Sequence, residues 1–135
     1  MIYLAGPYSH EDPEVMQERY EELTRIAAHF MALGECVYSP ITHNHVIATK
    51  YELPHTWDFW KDLDLPFVKA CSKLYVVRLP GWMMSTGVRA EMELAAVLNK
   101  PIYYVYPEDL EVHQQVPALA LASVSLEQRK DKITL

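Results

Sequence analysis

Glycine is scarce in this chain, four residues in 135, and the scarcity excludes several devices at once. A Walker loop, a GxGxxG fingerprint and a GxSxG nucleophile elbow all need closely spaced glycines, and none occurs. Cysteine is rarer still. Cys36 and Cys71 lack CxxC spacing and sit in apolar runs, so both are expected to be small buried hydrophobes. Basic residues form no run or patch, and the formal net charge is −6, which argues against a nucleic-acid polymer as partner. A small anionic ligand stays open, because a helix N-terminus with hydroxyls binds one without bulk positive charge. No apolar segment is long enough to span a bilayer, so no membrane partner is expected. Nothing reads as a signal peptide ahead of the first strand, and a reducing, cytoplasmic setting is the expectation.

What is present is globular: half the residues are hydrophobic and 22% are charged. The length suits one domain, residues 1–135, with a real core. Ile2 to Ala5 reads as a first buried strand, ended by Gly6-Pro7. A helix follows from about Asp12 to Leu33, with Met16, Tyr20, Leu23, Ala27, Phe30 and Met31 on its apolar face and Gly34 placed to stop it. Cys36 to Ser39 is a second strand, and Ile41 to Pro54 has a mixed pattern. Trp57 to Ala70 is helical, with Pro66 forcing a kink or a restart. Leu74 to Leu79 is a third strand, a helix starts at Ser85, and Ile102 to Tyr106 is a fourth strand. The remaining tail alternates weak helical and weak strand signals.

Strands alternate with helices, and the strands are continuous apolar runs. That pattern predicts an α/β fold: a flavodoxin- or Rossmann-like three-layer sandwich around a parallel sheet of four or five strands. Ligands of such sheets bind at the carboxyl ends of the strands, which here means Gly6 to Ser9, Pro40 to His45 and Pro80 to Gly87.

Two carboxylates stand out against that frame. Glu91 shares a helix face with Val88, Leu94, Ala95 and Leu98, so it points inward, where a charge is costly unless something uses it. Glu93 lies on the opposite, solvated side with Arg89 and Lys100. Asp64 likewise shares a face with Trp57, Trp60, Phe67, Val68 and Cys71. Two inward acids flanked by aromatics suggest displacement at an anomeric carbon, one acid attacking the sugar and the other assisting the leaving group. The positive end of the Ser85 helix is expected to favour ionised Glu91. Spacing alone leaves the bland readings open: satisfied buried acids, Tyr3 as core, Ser85 as an N-cap, Trp57 and Trp60 as core or base-stacking. His43-Asn44-His45 lacks a third ligand, so no metal site is expected, and His43 is instead a candidate for lining the pocket.

Three blocks resemble the nucleoside 2-deoxyribosyltransferase superfamily, which includes the 2′-deoxynucleoside 5′-phosphate N-hydrolases, and within it a small bacterial and phage branch. They are Ile2-Tyr3-Leu4-Ala5-Gly6, then Asp64 ahead of a strand starting near Ser72, then Ser85-x-Gly87-x-x-x-Glu91-x-x-x-Ala95 with Lys100-Pro101. The resemblance implies that Glu91 is a nucleophile forming a deoxyribosyl-enzyme intermediate, that Asp64 serves the nucleobase and its protonation, and that Tyr3 orients Glu91. It implies that Gly6 admits the ligand to the backbone and that Ser85 serves the 5′ side of the sugar. Gly6, Ser9, His43, Trp57, Ser85 and Gly87 are thus the candidate substrate-binding residues. No cofactor is implied, the expected partner is a small nucleoside or nucleotide, and relatives form homodimers or larger assemblies. The chain departs from the pattern at Ser72, where an Asp is usual, at Glu93, where a Gly is common, and at Pro7 to His10, where the hydrolases carry Ser and Arg. A non-catalytic nucleotide-binding sensor on the same fold is the alternative expectation.

Overall fold

The computed structural model describes residues 1–115. The elements run β1 (Ile2–Ala5), α1 (Pro13–Ala32), β2 (Val37–Tyr38), α2 (Pro40–Lys50), α3 (Trp57–Ala70), β3 (Lys73–Val77), a short 3-10 turn (Trp82–Met84), α4 (Thr86–Val97), β4 (Ile102–Val105) and β5 (Val112–Gln114). They build one sheet in the order β2-β1-β3-β4-β5. β1 to β4 are mutually parallel where they pair, with Tyr3 opposite Tyr38 on one side and Leu74 on the other. The expected α/β sandwich is therefore present. The fifth strand differs from a wholly parallel sheet: β5 runs antiparallel to β4 and is exposed along its length. A tight connection from Val105 to Val112 carries no crossover helix, and without one the next strand can only return antiparallel.

Side-chain alternation along β1 divides the core. Ile2 and Leu4 pack with Leu23, Ile26, Ala27 and Phe30 of α1 on one face. Tyr3 and Ala5 pack with Val68 of α3 and Val88 and Ala95 of α4 on the other. This period of two explains why β1 is apolar at every position: both faces are covered.

Helix α1 follows the expected pattern at its ends, with Asp12 capping Glu14 N at 2.9 Å and Gly34 closing the last turn onto Met31. Its buried stripe is Met16, Leu23, Ile26, Ala27 and Phe30. Met31 is exposed and Tyr20 only half-buried, because Ile26 takes the core place in the stripe. The mixed stretch after β2 is also helical. Ser39 accepts from Thr42 N at 3.3 Å, and Pro40 follows at the first helical position, a start signal that the histidines and threonines of the stretch obscure. Cys36 is exposed, contrary to its expected burial, because β2 is only two residues long and begins after it; Cys71 is buried. α3 continues unbroken through Pro66, which lies on the exposed side where water can satisfy the carbonyl it leaves unpaired. Leu98 lies just beyond the end of α4 and is exposed, so it leaves the inward face expected for it.

Lys100 leaves the solvated side of α4 that its spacing implied. Its ammonium donates to the carbonyls of Val68, at 2.9 Å, Lys69 and Cys71, the C-terminal turn of α3. These are carbonyls that a helix end leaves without partners. The expected weak tail beyond β5 lies outside the described residues. Among the described residues no helix is long and apolar enough to cross a membrane.

Candidate functional site

The chain leaves β1 to build β2 on one side, then crosses back to build β3 and β4 on the other. Beyond the carboxyl ends of β1 and β3 the connections therefore diverge and leave a crevice. A cavity of about 310 Å³ occupies it. Gly6, Tyr8 and Ser9 line it from the loop after β1, Pro40, Ile41, Asn44 and Ala48 from α2. His55, Thr56, Trp57, Trp60 and Asp64 line it from α3 and its approach, and Met84 to Gly87 with Glu91 from the start of α4.

Glu91 sits in the second turn of α4 and is 4% exposed. The Tyr3 hydroxyl donates to its carboxylate Oε2. Tyr3 is wholly buried in the sheet and does not itself reach the cavity, so it acts through Glu91. Burial and then the charge of Glu91 hold the Tyr3 phenol well above its usual range, so it remains a donor. Burial pushes the Glu91 carboxyl up to about 8, the Tyr3 hydrogen bond opposes the rise and the Asp64 charge adds to it. The expectation that the helix end would hold Glu91 ionised is therefore reversed. A dipole worth about 0.3–1 kcal/mol loses to desolvation worth several.

Asp64 is also buried, at 7% exposed. Its Oδ1 accepts from Asn44 Nδ2 at 2.9 Å. Burial raises it to about 6 against the opposing pull of Asn44 and His43. The two acids lie 27 positions apart in the chain, 91 less 64, on separate helices, and line one cavity.

Ser85 both lines the cavity and caps α4, accepting from Val88 N at 3.2 Å. Gly87 lies under Trp57: a Cβ there would stand 3.1 Å from the indole, so the missing side chain is what lets the aromatic wall close on the helix. Trp60 is fixed by an indole N–H bond of 2.7 Å to the Pro54 carbonyl. Gly6 lines the cavity with its backbone, but its lack of a side chain serves a different neighbour. A Cβ there would fall 2.6 Å from Leu23 Cδ2, so α1 packing requires this glycine. The Ser9 hydroxyl lines the cavity and donates to the His55 carbonyl, tying two loops of the rim.

His43 is the predicted substrate-binding residue that the cavity does not include. It is exposed on α2 and its Nδ1 meets Asn44 Oδ1 at 2.8 Å. Asn44, one residue on, turns inward in its place because α2 is a helix rather than a loop. Pro40, Asn44 and Ala48 then share one face at a spacing of four, the pattern that could have revealed it. Tyr8 and His55 also line the cavity, though the sequence singles out neither as a site residue. Their signal is spatial: Tyr8 Oη lies 2.6 Å from His45 Nδ1 and 3.2 Å from His55 Nδ1.

No curated protein matches the sequence. A family model described as "Domain of unknown function (DUF1937)" matches residues 1–107, which include every cavity residue named above, and the chain belongs to that family.

Proposed function

We propose that this protein cleaves or transfers the N-glycosidic bond of a 2′-deoxynucleoside or its 5′-monophosphate. The observation that carries the reading is the meeting of Glu91, backed by the Tyr3 hydroxyl, with Asp64 in one cavity walled by Trp57 and Trp60. A carboxylate oxygen of Glu91 attacks C1′, the C1′–N bond breaks, and the base leaves with that electron pair. Asp64 in its protonated form supplies the proton the base takes up, and its high pKa, about 6, suits that task. The resulting glycosyl ester is then attacked at C1′ by water or by a second base, the Asp64 carboxylate takes the proton that the incoming group loses, and Glu91 leaves as the carboxylate. The flat indoles suit a nucleobase. Ser85, Thr86 and the first N–H groups of α4 suit a hydroxyl or phosphate on the sugar. The resemblance to the nucleoside 2-deoxyribosyltransferases supports the same roles for Tyr3, Asp64 and Glu91.

One observation favours a second reading, a nucleotide sensor that does no chemistry. With its carboxyl at about 8, Glu91 is mostly protonated near neutral pH and is then a hydrogen-bonding group rather than a nucleophile. One experiment separates the two. The protein is incubated with the four 2′-deoxynucleosides and their 5′-monophosphates, and free base is measured by chromatography. Release by the wild type and its loss in Glu91→Ala support the glycosidic reading. Binding without release supports the sensor, and release that persists in Glu91→Ala refutes the mechanism.

A further inference from the structure

Five side chains outside the proposed glycosidic machinery form one chain of hydrogen bonds that ends at the cavity. Gln17 Nε2 donates to Glu21 Oε1 at 3.1 Å, and Gln17 Oε1 faces His45 Nε2 at 2.8 Å. His45 Nδ1 faces the Tyr8 hydroxyl at 2.6 Å, and that hydroxyl faces His55 Nδ1 at 3.2 Å. Tyr8 and His55 line the cavity.

The donors and acceptors in this chain have only one consistent order. A carboxylate offers acceptors alone, so the Gln17 amide must turn its NH2 to Glu21 and its carbonyl to His45. His45 Nε2 must then carry a proton. His45 is buried and stacked on Tyr20 at 4.3 Å. Burial, and next the neighbouring His55, lower its pKa, while Glu21 opposes them. A neutral imidazole has one proton, so His45 Nδ1 is bare and accepts. Burial pushes the Tyr8 phenol up to about 12, so it keeps its single proton and spends it on His45. The Tyr8 oxygen is then free to accept, and the donor it meets is His55 Nδ1–H. In the neutral ring that leaves His55 Nε2 as a bare acceptor.

We propose that His55 is a specificity-determining residue that accepts, through Nε2, a hydrogen bond from an N–H or O–H group of the ligand. Glu21, Gln17, His45 and Tyr8 are positioning residues that hold its tautomer. The proposal rests on the nucleoside reading above for the identity of the ligand. For a nucleoside the donor is the exocyclic amino group of the base or a sugar hydroxyl, and an oxo group in the same place meets lone pair against lone pair.

The chain is tested first without ligand. Long-range proton–nitrogen NMR correlations of the histidine rings should show neutral His55 protonated on Nδ1 and His45 on Nε2. Tyr8→Phe keeps the ring but removes the hydroxyl that holds both, and the His55 tautomer should change. A wild-type His55 protonated on Nε2 overturns the proposal. The second arm measures binding by calorimetry in Glu91→Gln, which avoids turnover. 2′-Deoxyadenosine should bind about tenfold tighter than 2′-deoxyinosine, the worth of one hydrogen bond gained against one acceptor clash. Adding Tyr8→Phe or His55→Leu should erase that ratio. If the ratio is absent but 2′-deoxyadenosine outbinds its 5′-deoxy analogue through His55, the donor is the sugar hydroxyl and the proposal stands. A preference unchanged by both variants overturns it. The two readings fail separately: a protein that neither binds nucleosides nor releases base refutes the glycosidic reading, whereas the ring tautomers are read with no ligand at all.

Discussion

Replacing Glu91 by Gln should stabilise the free protein, and the gain should grow with pH. Glu91 has a carboxyl at about 8 in the folded chain against a usual 4.5, because burial penalises its charge. The folded state therefore holds a proton that the unfolded state has lost, and stability falls as pH rises between those two values. At about 1.36 kcal/mol per pKa unit, the linkage costs roughly 1 kcal/mol at pH 5, roughly 3 at pH 7 and nearly 5 at pH 9. Glutamine is neutral throughout, has nearly the same shape, and its carbonyl still accepts the Tyr3 hydroxyl. Glu91→Gln thus removes the cost while keeping the contact. Urea unfolding at several pH values reads the difference directly, because the midpoint shifts without a change in slope. The stability gain should be small at pH 5 and several-fold larger at pH 9. A gain that stays level from pH 5 to 9 would refute the claim that Glu91 is buried with a raised pKa. A variant that gains stability while losing base release would mark Glu91 as a residue kept for chemistry at the expense of folding.

The remaining expectations concern the rate and the packing. The pH profile of kcat/KM should rise to about pH 6, stay level, and fall above about pH 8, the values of Asp64 and Glu91; steady-state base release checks it. Tyr3→Phe removes a hydrogen bond to a charge worth about 1.5–3 kcal/mol, so it should cut base release about ten- to a hundredfold and move the falling limb upward by about one to two pH units. Gly6→Ala should destabilise by about 1–3 kcal/mol because its Cβ would meet Leu23, and the combination with Leu23→Val should be milder than the sum of the two in denaturant unfolding. Lys100→Met should cost about 1–3 kcal/mol in the same assay by stripping the donor from three carbonyls at the end of α3.

Much of the fold is legible in the sequence because burial on both faces writes itself into a strand. Ile2 to Ala5 is apolar at every place, and the structure covers both its sides. The inward set of Glu91 and Asp64 is legible for a related reason, since a helix face is read from local spacing. α2 was harder because its inward residues, Pro40, Asn44 and Ala48, include a polar one, and its exposed residues Val46 and Ile47 are apolar. β5 carries no pattern because both its faces are exposed. Lys100 and His55 escape local reading altogether. Their partners lie about 30 and 47 positions away, so only the folded chain brings them together.

The two raised carboxyls also bear on how the proposed reaction would run. Attack at C1′ needs Glu91 ionised, while donation to the base needs Asp64 protonated. With Asp64 at about 6 and Glu91 at about 8, that pairing is the minor one. At pH 7 about a tenth of each group is in the required form, so about one molecule in a hundred is reactive. The cost is about 2.7 kcal/mol of barrier, against a desolvated nucleophile of unusually high basicity. The Tyr3 hydroxyl works against this cost, since it donates to the charged form of Glu91 and lowers its pKa. Its place in an interior strand, fixed between Tyr38 and Leu74, makes that contact rigid. The hydroxyl therefore sets how much ionised Glu91 is at hand, and a phenylalanine there should leave the sheet intact while emptying the reactive state.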